Sequence, residues 1–107
     1  QLRQILATAL REEGLTLEYL TLRADSVELR FRNGRYGSDT IAIGRAARIL
    51  SRTLPDSVET FRLIPMSGSL ARSAVVIRRS DLEAPANWPA AYAKLKSRKT
   101  WPPFERN

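Results

Sequence analysis

The sequence predicts an α+β two-layer sandwich, a four-stranded, mainly antiparallel sheet with two helices on one face. Three observations carry that expectation. Two segments place apolar residues at helical spacing, four shorter segments read as strands, and the order helix, strand, strand occurs twice. At 107 residues the chain is long enough for one core that folds without metal or disulfide.

Leu2, Ile5, Leu6, Ala9 and Leu10 recur at helical spacing, and Gly14 can take the left-handed conformation just past the last turn. The segment LTLEYLTLR then reads as a strand and ADS as a turn. VELRFR alternates cleanly, which puts Val27, Leu29 and Phe31 on one face. Beyond NGRYG, Ser38 or Asp39 can cap a second helix with Ile43, Ala46, Ala47, Leu50 and Leu54 toward the core. Pro55 stops it. VETFRLIP and SAVVIRR are the third and fourth strands, joined by MSGSLA. RRSDLE carries a capping-box pattern, Ser80 with Glu83, that Pro85 limits to one turn.

A shift of 41 residues lays Leu2 on Ile43, Leu6 on Ala47, Ala9 on Leu50 and Gly14 on Pro55, so both helices stop at the same place. It also lays LEYLTL on VETFRL, which break alternation at the same step. The pattern reads as a duplicated α-β-β unit, with repeats at about 1–32 and 42–79. Two such units closing on each other predict the strand order first, second, fourth, third, a permuted ferredoxin-like arrangement.

The net charge of +7 and pI near 10.8 point toward an anionic partner, but the charge is uneven. Residues 1–83 carry 13 Arg against 10 Asp and Glu. Residues 84–107 carry Lys94, Lys96, Arg98, Lys99 and Arg106 against Glu105, along with both tryptophans and four prolines. That shift marks a domain over 1–83 and a basic, Trp- and Pro-containing tail over 84–107. Within the tail, Trp88, Tyr92 and Leu95 suit either a short docked helix or a junction near a membrane surface. No apolar run is long enough to span a bilayer as a helix. The start in mid-pattern, without methionine or secretory leader, reads as a piece of a longer chain.

Cysteine and histidine are absent, which removes disulfides, the common zinc ligands and the usual general base at neutral pH. The acidic neighbours Glu12/Glu13 and Asp81/Glu83 read as exposed pairs. No enzyme, metal or cofactor is expected. Arg45, Arg48 and Arg52 stand at i, i+3 and i+7 on the second helix, opposite its apolar stripe. They read first as a solvated face and second as a surface for carboxylate or phosphate groups. With Lys94, Lys96, Arg98 and Lys99 of the tail they are the candidate polyanion or partner-binding residues. Arg30, Arg32, Arg78 and Arg79 read as further solvated charges. Nucleic acid is disfavoured because Phe31 and Phe61 fall at core positions and leave no stacking platform, yet a small basic nucleic-acid-binding domain is the alternative class. NGRYG lacks the pattern of a phosphate loop and reads as a connection.

One resemblance gathers these elements. Arg35-Tyr36, Gly44-Arg45-Ala46-Ala47-Arg48, Leu54-Pro55, Val58-Glu59, Phe61, Pro65 and Arg79-Ser80-Asp81-Leu82-Glu83 together are similar to the YjbH family of Gram-negative bacteria. The resemblance is strongest over 35–83 and does not extend to the tail. It implies a periplasmic α/β module of an outer-membrane β-barrel protein tied to exopolysaccharide and group 4 capsule production. The implied partners are proteins of the same secretion gene cluster, and the implied cargo is an exopolysaccharide, an acidic one being a candidate ligand. No catalytic residue comes with it, and its motif reads as fold maintenance.

Overall fold

Helix α1 spans Leu2–Glu12 and turns Leu6 and Leu10 fully into the core, with Leu2 and Ala9 packed at its margin. Ile5, expected among them, is 57 % exposed. Gly14 takes φ +82°, the conformation expected of the residue that ends a helix. The computed structural model describes residues 1–82, so the tail expectations, including the third helix or junction, lie outside the described residues.

Strand β1 (Leu15–Leu22) pairs antiparallel with β2 (Ser26–Asn33). Their register slips between Leu17 and Tyr19, leaving Glu18 as an extra residue. This bulge is the break in alternation visible in the sequence: it lets Leu15, Leu17 and Leu20 share the core side although their spacing is not a multiple of two. Helix α2 (Asp39–Thr53) starts at Ser38, whose Oγ accepts from the Thr40 N–H at 3.1 Å. Its buried stripe includes Ile43, Ala46, Ala47, Leu50 and the capping Leu54, as expected. Strand β3 (Thr60–Ser67) follows, then the short β4 (Leu70–Ala71), β5 (Val75–Arg78) and a 3-10 turn at Arg79–Asp81. One apolar cluster joins Leu6 and Leu10 of α1, the α2 stripe, Val27, Leu29 and Phe31 of β2, and Phe61 and Leu63 of β3. Both helices therefore cover one face of a five-stranded mixed sheet, and the two-layer α+β class holds.

The strand order departs from the expected one. β3, not the last strand, lies beside β2, and the two run parallel, Val27 opposite Phe61 and Leu29 opposite Leu63. β5 and β4 occupy the outer edge of β3. The reason is burial. β3 has eight residues and buries Phe61 and Leu63 on one face and Ile64 on the other, whereas β5 has four residues and buries only Ile77. A strand apolar on both sides belongs in the middle of a sheet, and the α2 crossover delivers it there in parallel. The permuted ferredoxin-like order is thus corrected. The two hairpins turn to opposite hands under the same helix layer, so the two halves share an order of elements without sharing a path. MSGSLA, expected as a loose link, contributes β4 through a two-residue turn with Gly68 at φ +64°.

Arg79 is the largest correction to the surface reading. It is 3 % exposed. Its guanidinium donates to the carbonyls of Ser51 (2.7 Å), Leu54 (3.2 Å), Pro55 (2.7 Å) and Val58 (2.8 Å) and lies 5.3 Å from the Phe61 ring centre. The carbonyls at the end of α2 have no partner within the helix, and a cation there also meets the negative end of the helix dipole. A second tie holds the other end of α2. Asp39 accepts two hydrogen bonds from Arg72, at 2.6 and 2.8 Å, and one from Asn33 at 3.3 Å. The Arg72 hydrogen bonds outweigh the opposing effect of burial, and with Asn33 they hold the Asp39 carboxyl below its ordinary value.

Three measurements check this account. Phe61→Ala should destabilise the domain by about 3–5 kcal/mol, the range for a lost buried ring, and Arg52→Ala on the exposed face by less than about 1 kcal/mol. A denaturation series with the reverse ranking would place the core on the wrong side of α2. Arg79→Met should cost about 3 kcal/mol or more, because it strands several carbonyls at once. Arg79→Lys should recover only part of that, since an ammonium cannot reproduce the planar fork; full recovery would reduce the site to simple charge. Asp39 gives the pH dependence. A carboxyl with a depressed folded pKa stabilises above its unfolded pKa of about 3.9, and that contribution fades as pH falls through the lower folded value. The stability gap between wild type and Asp39→Asn should hold between about pH 7 and about pH 5, then narrow below about pH 4. A gap that stays constant down to about pH 2 would mean the Arg72 contact does not depend on the charge of Asp39.

Candidate functional site

The arginines divide by layer. On the sheet face away from the helices, β2 presents Glu28, Arg30 and Arg32, and β3 presents Arg62. Glu28 bridges Arg30 at 3.1 Å and Arg62 at 3.5 Å, Glu18 meets Arg32 at 3.1 Å, and Glu59 meets Arg78 at 3.8 Å. The bulge that shifts β1 puts Glu18 within reach of Arg32. Tyr19 is an exposed aromatic on this face, 5.1 Å from the Arg30 guanidinium. Phe31 and Phe61 are fully buried, as expected, so an aromatic row for stacking nucleobases is not formed by these strands.

The helix layer is different. Arg45, Arg48 and Arg52 lie on the exposed side of α2, opposite the buried stripe. Among the described residues, Arg3, Arg35, Arg45 and Arg52 make no ion pair with a carboxylate. The four tail candidates, Lys94, Lys96, Arg98 and Lys99, lie outside the described residues. α2 separates its three arginines along its length, and Arg45 is the one that meets an aromatic. Its guanidinium stands 5.7 Å from the Tyr36 ring centre, and Arg35 stands 5.9 Å from the same ring.

The sequence reads NGRYG as a connection, with Arg35-Tyr36 carrying the family resemblance but not among the candidate binding residues. The loop is in fact built around one side chain. Asn33 Oδ1 accepts from the N–H groups of Arg35 (3.1 Å) and Tyr36 (2.8 Å), and its Nδ2 donates to the Tyr36 carbonyl at 2.7 Å. The Tyr36 hydroxyl donates to Glu13 Oε1 at 2.9 Å. Gly14 lies against Arg35 so closely that an added Cβ would stand 2.5 Å from the Arg35 Cβ. The available signal was the asparagine three residues before an aromatic, the spacing of an Asn side chain that folds its own loop. Asp39 and Arg72 brace the adjoining helix end.

A shallow groove of about 180 Å³ lies beside the edge strand, lined by Arg3, Gln4, Ala7, Arg11 and Leu15–Leu17. Among the described residues no group of three or more acidic side chains is placed to hold a metal ion, and no helix is long and apolar enough to cross a membrane. What the site offers chemically is a set of guanidinium donors for an oxyanion.

No curated protein and no solved structure shows significant similarity to the chain. A family model does match, over residues 1–106, nearly the whole length and therefore the tail as well as the domain. Its description is exopolysaccharide biosynthesis protein YbjH. The chain belongs to the YjbH exopolysaccharide biosynthesis family.

Proposed function

We propose that the chain is a non-enzymatic interaction module of an exopolysaccharide biosynthesis protein. It works in the periplasm as part of an outer-membrane β-barrel protein concerned with export or assembly of the polymer, capsule included. It acts by holding an anionic polymer or a protein of the same secretion machinery. The observation that carries this reading is the division of charge. Arginines on the sheet face are matched by Glu18, Glu28 and Glu59, whereas Arg35, Arg45 and Arg52 on the helix side have no carboxylate partner among the described residues. Unneutralised guanidinium groups at a surface attract anions over roughly a Debye length, about 8 Å at physiological salt.

The test is charge reversal in the full-length protein. Cells producing the variant Arg45→Glu/Arg48→Glu/Arg52→Glu should secrete markedly less exopolysaccharide while keeping the protein at its normal level. Undiminished secretion would defeat the reading. The nucleic-acid alternative has its own arm. Binding of RNA or DNA by the 107-residue chain should be weak and steeply salt-dependent. Sequence-selective binding that persists above about 0.3 M salt would replace the export module with a nucleic-acid-binding domain.

A further inference from the structure

The loop between β2 and α2 carries a more specific arrangement than a basic face. Two arginines ten residues apart, Arg35 on the loop and Arg45 on α2, bring their guanidinium groups to one ring, that of Tyr36. Like charges avoid each other unless something holds them, and here the holding devices are visible. Arg35 is fixed at its backbone by Asn33 and along its stem by Gly14, and its Nη2 donates to the Glu12 carbonyl at 3.4 Å. Arg45 is carried on a helix whose start is capped by Ser38 and braced through Asp39. The ring itself is tied through its hydroxyl to Glu13. A cation over an aromatic face is attracted to it, and a guanidinium held that way keeps its N–H edges for another ligand. Neither arginine spends those edges on a carboxylate among the described residues.

We infer that Arg35, Tyr36 and Arg45 form a binding site for a carboxylate-bearing sugar unit of an acidic polysaccharide. This rests on the interaction-module reading and names its ligand. The two guanidinium groups supply forked donors to the sugar carboxylate. Glu13 supplies the other half of the recognition. One of its oxygens takes the Tyr36 hydroxyl, and the second is left to accept a hydrogen bond from a sugar hydroxyl. That acceptor argues for a saccharide, which carries hydroxyl donors on the same ring as its carboxylate, over an acidic peptide, whose carboxylate side chains carry no donor of their own.

The test uses the isotope-labelled 107-residue chain and a uronic acid trisaccharide, trigalacturonate, followed by amide chemical shifts. Maltotriose and inorganic phosphate are the comparison ligands. Trigalacturonate should move the amides of residues 34–37 and 44–46 saturably, and maltotriose should not. Arg35→Ala/Arg45→Ala should weaken binding by about tenfold or more. Arg52→Ala, which removes an equal charge from the same helix, should change it by less than about twofold. Tyr36→Leu should weaken binding while leaving the spectrum that of a folded chain. Shifts centred elsewhere, an Arg52→Ala loss equal to that of Arg45→Ala alone, or phosphate binding as tightly as the trisaccharide would each overturn the site. Those failures leave the secretion experiment untouched, and normal secretion by the charge-reversed strain leaves the binding result untouched, so the two ideas fall separately.

Discussion

The fold depends on one buried cation. Arg79 gathers four main-chain carbonyls lying 21 to 28 residues before it and covers the Phe61 ring. Its own backbone N–H donates to the Glu59 carbonyl at 2.7 Å. The end of α2, the turn at Pro55, the entry to β3 and the exit of β5 thereby meet at one side chain. A helix terminus buried without partners would be costly, and so would a buried guanidinium; each satisfies the other. Asp56, 4.0 Å away and fully exposed, adds little to a cation already held by four oxygens. This contact also explains why so short a strand as β5 stays on the edge of β3.

The same contact gives physical content to the residues that carry the family resemblance. Leu54, Pro55 and Val58 contribute carbonyls, Phe61 contributes its ring, Glu59 accepts the backbone of Arg79 and the N–H of Ser80, and Arg79 contributes the cation. Pieces scattered over 26 residues are one structural lock. Gly44, Ala46 and Ala47 are buried on α2 and allow it to lie close against its neighbours. Tyr36 packs against the margin of that core, and the motif arginines Arg35 and Arg45 stand beside its ring.

How far the sequence could be read follows from the range of the forces involved. Helix spans, the Ser38 cap, the stop at Pro55 and the core face of α2 are local, set by periodicity and capping within a few residues, and all were legible. So was the bulge in β1, as a break in alternation. Strand order was not, because it turns on competition between distant strands. Its one clue was the Leu63-Ile64 pair, apolar on both faces of β3. Arg79 was misread for the opposite reason: composition places an arginine at the surface, and its carbonyl partners are invisible until the chain has turned back on itself. Met66 and Ser67 read as loop in the sequence because the two-residue β4 that pairs with them is too short to carry a pattern.

Net charge is therefore a poor guide to where this protein meets a partner. Among the thirteen arginines of the described domain, Arg79 is consumed by the fold, Arg72 is clamped to Asp39, and Arg30, Arg32, Arg62 and Arg78 are matched across the sheet by glutamates. A surface pair of that kind contributes little stability, but three glutamates against four arginines offset most of the field that would draw an anion to the sheet. On the proposed reading, an approaching polyanion is steered to the side where Arg45 and Arg52 have no carboxylate partner among the described residues. Steering needs only charge, whereas holding one sugar in one orientation needs groups whose positions are fixed beforehand. Under that proposal Arg52 meets the first requirement, and among the described residues Arg35 and Arg45, beside the Tyr36 ring, meet both.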